Sequence, residues 1–98
     1  MAELRLRAAA RADLVAIDEH SAIQFGAEVG EAYTRGILEA FALLRDHPHA
    51  GASQPNLGIG IRCLTHRQHR ILYQVDRDLI LIVRVIHHAM DSRRALKK

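Results

Sequence analysis

The chain has 98 residues, of which 49% are hydrophobic and 26% charged. This composition indicates one globular domain over residues 1–98 and excludes a disordered or fibrous chain. The formal net charge is +3 and arginine supplies nearly all of the cations, so an acidic protein, a nucleic acid and plain solvent are all compatible surroundings for the surface.

No apolar stretch approaches the roughly 20 residues of a membrane-spanning helix, and the first residues lack the apolar core of a secretory signal. Cysteine occurs once, at Cys63, so no internal disulfide can form. These features predict a soluble cytoplasmic protein without a membrane partner.

The amino-terminal half predicts a strand followed by two helices. Leu4 and Leu6 alternate with charged residues, which predicts a short half-buried strand ending near Ala8. A helix ending at Gly26 follows, because small and apolar residues share one stripe: Ala10, Leu14, Ile17 and Ser21.

Apolar residues at steps of three and four predict a second helix that continues through Arg45 and cannot pass Pro48. Its stripe contains Val29, Tyr33, Ile37, Ala40, Phe41 and Leu44. Gly30 and Gly36 lie inside this helix and weaken it by about 1 kcal/mol each relative to alanine. They indicate either a close approach by the first helix or a partner, or glycines tolerated at the surface.

A loop rich in glycine and proline covers residues 47–60, and three strands are predicted after it, at residues 60–65, 69–75 and 79–87. The breaks between these strands are so short that neighbours must be antiparallel. The last strand is apolar at nearly every position, which predicts either burial on both faces or a central place in the sheet. We expect Tyr73, Leu81 and Val83 to pack in the core, with the Tyr73 hydroxyl satisfied at its edge.

The predicted fold is therefore α+β, in the order β-α-α-β-β-β. A helical hairpin packs on one face of a small, mostly antiparallel sheet. The opposite face of the sheet is then expected to be available for recognition.

The order and spacing of several short segments resemble the ParE branch of the RelE/ParE toxin superfamily, over nearly the whole chain. The segments are Ala12-Asp13-Leu14, Phe25-Gly26, Tyr33, His47-Pro48, Gly60-Ile61-Arg62, His69-Arg70-Ile71-Leu72-Tyr73, Arg84-Val85-Ile86-His87 and Met90-Asp91.

The resemblance implies the toxin of a type II toxin-antitoxin system that stabilises a plasmid or chromosome, with a ParD-like antitoxin as its partner. Toxins similar to ParE inhibit DNA gyrase by binding, so the resemblance implies no catalysis and no cofactor. It also implies that the toxin–antitoxin complex binds operator DNA through the antitoxin. The antitoxin footprint on this chain is not indicated by the sequence.

Charged and polar residues follow the apolar last strand, and this density predicts the surface that contacts gyrase. The target-binding candidates are Arg84, His87, Met90, Asp91, Arg93 and Arg94.

An alternative function comes from the other branch of the superfamily, the ribosome-dependent messenger RNA endoribonucleases resembling RelE. Arg62, Arg70 and Arg84 would hold a phosphate in that case, and His87 or His88 would move a proton. Those enzymes usually carry catalytic residues, often a tyrosine, near the end of the chain, whereas no aromatic residue follows Tyr73 here. The binding function is therefore favoured.

A third interpretation starts from four histidines, because His66, His69, His87 and His88 are all predicted at one end of the sheet. Four imidazoles could bind zinc. Exposed histidines at a hairpin end are the favoured interpretation, and no metal is expected.

Overall fold

The computed structural model describes residues 2–97. Its helices are α1 (Ala8–Phe25), α2 (Ala27–Asp46) and α3 (Ser92–Leu96), and its strands are β1 (Glu3–Leu6), β2 (Ala52–Ser53), β3 (Ile61–His66), β4 (His69–Asp76) and β5 (Leu79–His87). A single 3₁₀ turn occupies Pro55–Leu57. No helix in this part of the chain is long and apolar enough to cross a membrane.

The predicted α+β architecture is confirmed: the helical hairpin α1–α2 is followed by a meander of three strands. The observed ends of β3, β4 and β5 agree with the predicted ones to within one residue. The structure adds three short elements that the sequence did not predict, namely β2, the 3₁₀ turn and α3.

The strands form one sheet in the order β1-β5-β4-β3-β2. Only the β1–β5 pair is parallel, and the other three pairs are antiparallel. β5 therefore lies between β1 and β4, as its continuous apolar sequence predicted.

A β-bulge lies in β5 at Val83. Tyr73 pairs with Ile82 and Leu72 pairs with Arg84, so Val83 is the additional residue between two ladder pairs. β1 also ends at this point, because its last residue, Leu6, pairs with Ile82. Beyond Ile82, β5 consequently has no strand beside it on the β1 side.

The helical hairpin turns at Gly26, whose φ of 93° lies in a region that favours glycine. α1 and α2 then approach closely at Gly30, where an added Cβ would lie 2.9 Å from the backbone nitrogen of Ala22. Of the alternatives that the sequence left open for Gly30, the structure therefore shows a close approach by the first helix. At Gly36 the neighbour is the His66 ring, 3.0 Å from the position of an added Cβ.

The main core lies between the hairpin and the sheet, and Tyr73 is at its centre with no solvent exposure. The Tyr73 hydroxyl donates to the carbonyl oxygen of Pro48 and accepts from the amide of Gly51, both at 2.8 Å. The prediction of a packed tyrosine with a satisfied hydroxyl is confirmed. Leu81 and Val83 are half-buried.

The face of the sheet opposite the hairpin is more covered than the sequence predicted. Leu72 and Ile86 alternate with core residues, so they point away from the hairpin, yet their exposure is 0% and 1%. α3 packs against β5 and against the 3₁₀ turn, which itself packs against β3. The expectation that this face is open was wrong over its central part, because the carboxyl-terminal segment folds back across it.

Candidate functional site

A groove of about 900 Å³ separates the helical hairpin from the ends of β4 and β5. We call it the hairpin groove. Ile17 and Ser21 of α1 and Tyr33 of α2 form its walls, while His69 and Val85 belong to the sheet side.

Apolar side chains are unusually exposed at the open end of the hairpin groove. Phe25 is 65% exposed and Val29 is 51% exposed, and both line the groove. Met90 borders the groove from the carboxyl-terminal side and is 46% exposed. Apolar groups that remain in water beside a concave surface are typical of a site that binds another protein.

Val29 and Tyr33 were predicted to lie in the buried stripe of α2, together with Phe41. Phe41 is buried, but Tyr33 is only half-buried and Val29 is exposed. The early part of α2 borders the groove, which explains why the apolar stripe is uncovered there.

The four predicted histidines do meet at one end of the sheet. His66 pairs with His69 and His69 pairs with His87 across the strands. The ring centroids of His69 and His87 are 5.6 Å apart, and those of His87 and His88 are 4.4 Å apart. β5 ends at His87, so the alternation of a strand does not extend to His88.

Tyr33 joins this histidine cluster from α2. Its hydroxyl oxygen lies 2.6 Å from Nδ1 of His69, in a hydrogen bond whose donor depends on the tautomer of His69. Partial burial raises the pKa of Tyr33. The contact ties the hairpin to the sheet across the floor of the groove.

Burial lowers the pKa of His66 and of His69 below the ordinary histidine value. Electrostatic repulsion adds to this effect, from Arg67 for the pKa of His66 and from the neighbouring histidines for the pKa of His69. These two imidazoles are therefore neutral at pH 7, and they give the groove floor an uncharged surface that can be covered without a large desolvation cost.

No group of three or more histidine, cysteine, aspartate or glutamate residues within residues 2–97 is arranged to hold a metal ion. Although the histidines are close, their rings contact each other and Tyr33 instead of converging on one point. The zinc interpretation therefore has no support from the geometry.

Asp13 and Arg84 form a clasp at one wall of the groove. Nε and Nη2 of Arg84 donate to the two carboxylate oxygens of Asp13, at 2.7 and 2.8 Å, and the amide of Val85 donates to the same carboxylate at 2.9 Å. Arg84 also donates to the carbonyl oxygen of Ala95, at 2.9 Å. The clasp thus connects α1, β5 and α3.

The hydrogen bonds with Asp13 raise the pKa of Arg84. A bidentate pair of this kind is geometrically specific as well as charged. Asp13 reaches Val85 because β1 has already ended, which leaves this part of β5 without a strand on the β1 side.

The four ribonuclease candidates do not assemble into one cleft. Arg62 donates to the carbonyl oxygens of Gly51 and His49, and Arg84 is held by Asp13. His87 faces the hairpin groove with His69, whereas Arg70 is the next residue along β4 and points to the opposite face. His87 and Arg84 thus line the hairpin groove, whereas Arg70 lines a pocket on the opposite face, so the candidates do not share one surface.

The target-binding candidates occupy three different environments. Arg84 is partly buried in the clasp and His87 is half-buried in the histidine cluster. Exposed positions at the end of the chain are taken by Met90, Asp91, Arg93 and Arg94.

Sequence reasoning missed the hairpin groove and the clasp. Asp13 and Arg84 both belong to the segments that resemble the toxin family. They are 71 positions apart, however, and their spacing in the sequence does not predict a contact between them. The sequence feature that could have predicted the groove is the presence of large apolar residues close to the hairpin turn. Phe25 and Val29 flank Gly26 although a solvent-exposed turn is normally polar.

The comparisons with known proteins agree over nearly the whole chain. Residues 4–92 match the family described as the ParE toxin of the type II toxin-antitoxin system, parDE. Toxin ParE1 of Caulobacter vibrioides is 31% identical over 96 residues, which are 98% of this chain and 99% of that protein.

A solved structure of the chromosomal ParDE TA system from P. aeruginosa has a similar fold. The TM-score is 0.77 at 28% identity, over 89% of this chain and 96% of the matched chain. The family match covers the residues that form the hairpin and line the groove, and it includes Asp13 and Arg84 of the clasp. This chain belongs to the ParE toxin family of type II toxin-antitoxin systems.

Proposed function

We propose that the chain is a toxin that inhibits DNA gyrase by binding it, and that a ParD-like antitoxin neutralises the toxin by occupying the hairpin groove. Membership of the ParE family supports both partners. The observation that carries the antitoxin site is the exposed apolar lip of the groove at Phe25 and Val29.

An amphipathic helix is the antitoxin element that suits this groove. Its apolar face would cover Phe25, Val29 and Met90, which all line the groove and are all exposed. The neutral imidazoles of His66 and His69 would lie beneath it. Affinity would come mainly from the apolar anchors, and charges at the rim would add orientation and association rate.

Substitutions at the lip test the antitoxin site. We expect F25S to weaken binding of the antitoxin encoded beside the toxin by about tenfold or more, since a buried aromatic anchor commonly contributes about 2 kcal/mol. I59S is the matched control, because Ile59 is 97% exposed and lies outside the groove lining. Isothermal titration calorimetry measures both; equal affinity of F25S and the unsubstituted toxin would remove the groove from the proposal.

Gyrase is tested separately with the purified toxin and relaxed plasmid DNA. We expect supercoiling to be blocked, or cleaved DNA to accumulate, and prior mixing with the antitoxin to restore normal activity. Gyrase activity that stays unchanged at toxin concentrations well above those of the enzyme would refute the target. Cleavage of messenger RNA in a translation extract would favour the ribonuclease branch instead.

The contact with gyrase is proposed to lie at the end of the chain. Met90, Asp91, Arg93 and Arg94 are its exposed members. Arg84 and His87 belong to the same surface, although substitution of Arg84 would also break the clasp with Asp13. R94A should therefore weaken gyrase inhibition. R35A is the control and should not weaken it, because Arg35 is an exposed residue of α2 outside the proposed contact. The toxin–antitoxin complex is further proposed to bind operator DNA through its antitoxin.

A further inference from the structure

A second pocket, of about 360 Å³, lies on the sheet face opposite the hairpin groove. We call it the outer pocket. Its polar lining consists chiefly of Gln54, Asn56, Arg70, His88, Asp91 and Arg93. These residues come from the loop before β3, from β4 and from the segment that leads into α3, so only the folded chain brings them together.

Two guanidinium groups in the outer pocket lack acidic partners. No carboxylate oxygen of residues 2–97 lies within 4.0 Å of the guanidinium nitrogens of Arg70 or Arg93. Arg70 donates from Nη1 to the Ser92 hydroxyl at 3.3 Å, which orients its side chain but leaves its charge unneutralised. By contrast, Arg84 is fully engaged in the clasp.

Among residues 2–97, Asp91 supplies the one carboxylate that lines the outer pocket, and this carboxylate accepts a hydrogen bond from the backbone. Oδ1 of Asp91 accepts from the amide of Arg93 at 3.0 Å. With Arg70 and Arg93 as cations and Asp91 as the anion, the described lining of the pocket has a formal net charge of +1. Gln54 and Asn56 add side-chain amides as neutral donors, and Leu57 and Met90 add apolar surface.

We propose that the outer pocket binds the phosphate group of a nucleotide. Arg70 and Arg93 would hold the phosphate oxygens, because a planar guanidinium matches that geometry with two parallel hydrogen bonds. The volume lies within the range of about 300–1,000 Å³ common for small-molecule sites, so sugar or base also has room beside Leu57 and Met90. Free nucleotides and nucleic-acid strands share this chemistry.

This site is one of binding alone. Of the two histidines considered for proton transfer, His87 faces the other side of the sheet with His69, and His88 lines the outer pocket as its one imidazole. The described lining therefore offers no pair of imidazoles that could act as acid and base. The inference does not rest on the proposed function, although Met90, Asp91 and Arg93 of the outer pocket also belong to the proposed gyrase contact. It accounts for the position of Arg70, which the proposed function leaves unused.

The test is a titration of the full-length toxin followed by NMR of its backbone amides. The probes are inorganic phosphate, adenosine 5′-monophosphate, adenosine without phosphate, and a short single-stranded DNA oligonucleotide. We expect adenosine 5′-monophosphate to shift the amides of Asn56 and Arg93 in a saturable manner, and adenosine to leave them unchanged. Binding of the oligonucleotide alone would identify a nucleic-acid strand as the source of the phosphate, and would equally support the site.

Charge variants decide whether binding belongs to the pocket. R93Q should weaken binding by about tenfold, the effect of losing a charge-assisted hydrogen bond. D91N should tighten it, since asparagine keeps the capping oxygen and removes the negative charge. R11Q, on exposed α1, is the matched control for net charge. Equal weakening in R11Q and R93Q, equal shifts with adenosine and its monophosphate, or no binding of any phosphate probe would each overturn the proposal.

Discussion

A tyrosine hydroxyl lies against the sheet side of two regions, from Tyr73 of β4 in the core and from Tyr33 of α2 at the hairpin groove, and the two hydroxyls differ in what they contact. Around Tyr73 both hydrogen bonds go to backbone groups and the side chain is fully enclosed. Around His69 the Tyr33 hydroxyl meets a titratable imidazole at the edge of a groove. The first arrangement closes the fold, whereas the second leaves a surface that can respond to a partner or to protons.

Truncation of the two tyrosines should give the largest difference in stability between these regions. We expect Y73A to lower the free energy of unfolding by about 3–5 kcal/mol, because it leaves a cavity in the core and two unpaired backbone groups. Y33A should cost about 1 kcal/mol, since Tyr33 is already partly in solvent and loses mainly one hydrogen bond. Urea unfolding followed by circular dichroism measures both.

Similar losses for Y73A and Y33A would contradict the distinction between a closed and an open region. Y73F separates the two effects at the first site, because it keeps the ring but leaves the Gly51 amide and the Pro48 carbonyl without their partner.

The two helix glycines provide a second, smaller contrast. G30A should destabilise the chain by about 1–3 kcal/mol, because the added Cβ meets the backbone of Ala22 at 2.9 Å and α1 must move away. At Gly36 the neighbour is the His66 ring, at 3.0 Å. That side chain borders the groove and can turn aside, so G36A should be neutral or gain up to about 1 kcal/mol in helix propensity.

Thermal unfolding of the two variants gives the comparison directly. A Tm for G30A equal to that of the unsubstituted chain would show that the helices are not packed as tightly at Ala22 as the structure indicates.

The smallest expected effect is the change in folding stability with pH that His66 and His69 cause. The groups near His69 are Tyr33 from α2, Asp13 from α1, His66 and His87 from the sheet, and His88 just beyond the end of β5. Its pKa and that of His66 are lowered on folding, so the unfolded chain binds more protons just below the ordinary value of 6.5. Their contribution to stability is complete above that pH and declines as the pH falls below it.

H69Q should flatten this decline, and H49Q, at an exposed loop histidine, should leave it unchanged. The measurement is the free energy of urea unfolding at a series of pH values between neutral and mildly acidic. An identical slope for H69Q and the unsubstituted chain would assign the pH dependence to other groups.

Local patterns were enough to predict the helical hairpin, the meander and the packing of Tyr73, because each depends on residues near in sequence. α3 escaped prediction because a five-residue helix is not stable by itself and depends on packing against β5 and on the Arg84 contact to Ala95. β2 has only two residues and exists through its pairing with β3. The hairpin groove depends on how far the hairpin stands from the sheet, which no spacing of residues encodes.

The sequence therefore predicted some individual residues of the candidate site, but it did not predict how these residues contact each other. The histidines were expected at one end of the sheet and they lie there. Arg84 was expected as an exposed contact, yet its guanidinium is used within the fold by Asp13. An ion pair that spans 71 positions requires the tertiary structure, because many other carboxylates were equally available in the sequence.

The early end of β1 has a consequence for solubility. A β-strand with an open flank presents amide groups that can recruit a strand from a second molecule, and such pairing is a common start of aggregation. Here the Asp13 carboxylate occupies the Val85 amide at that flank. The Asp13 side chain, which pairs with Arg84, thus also makes this backbone amide unavailable for pairing with a strand of a second molecule.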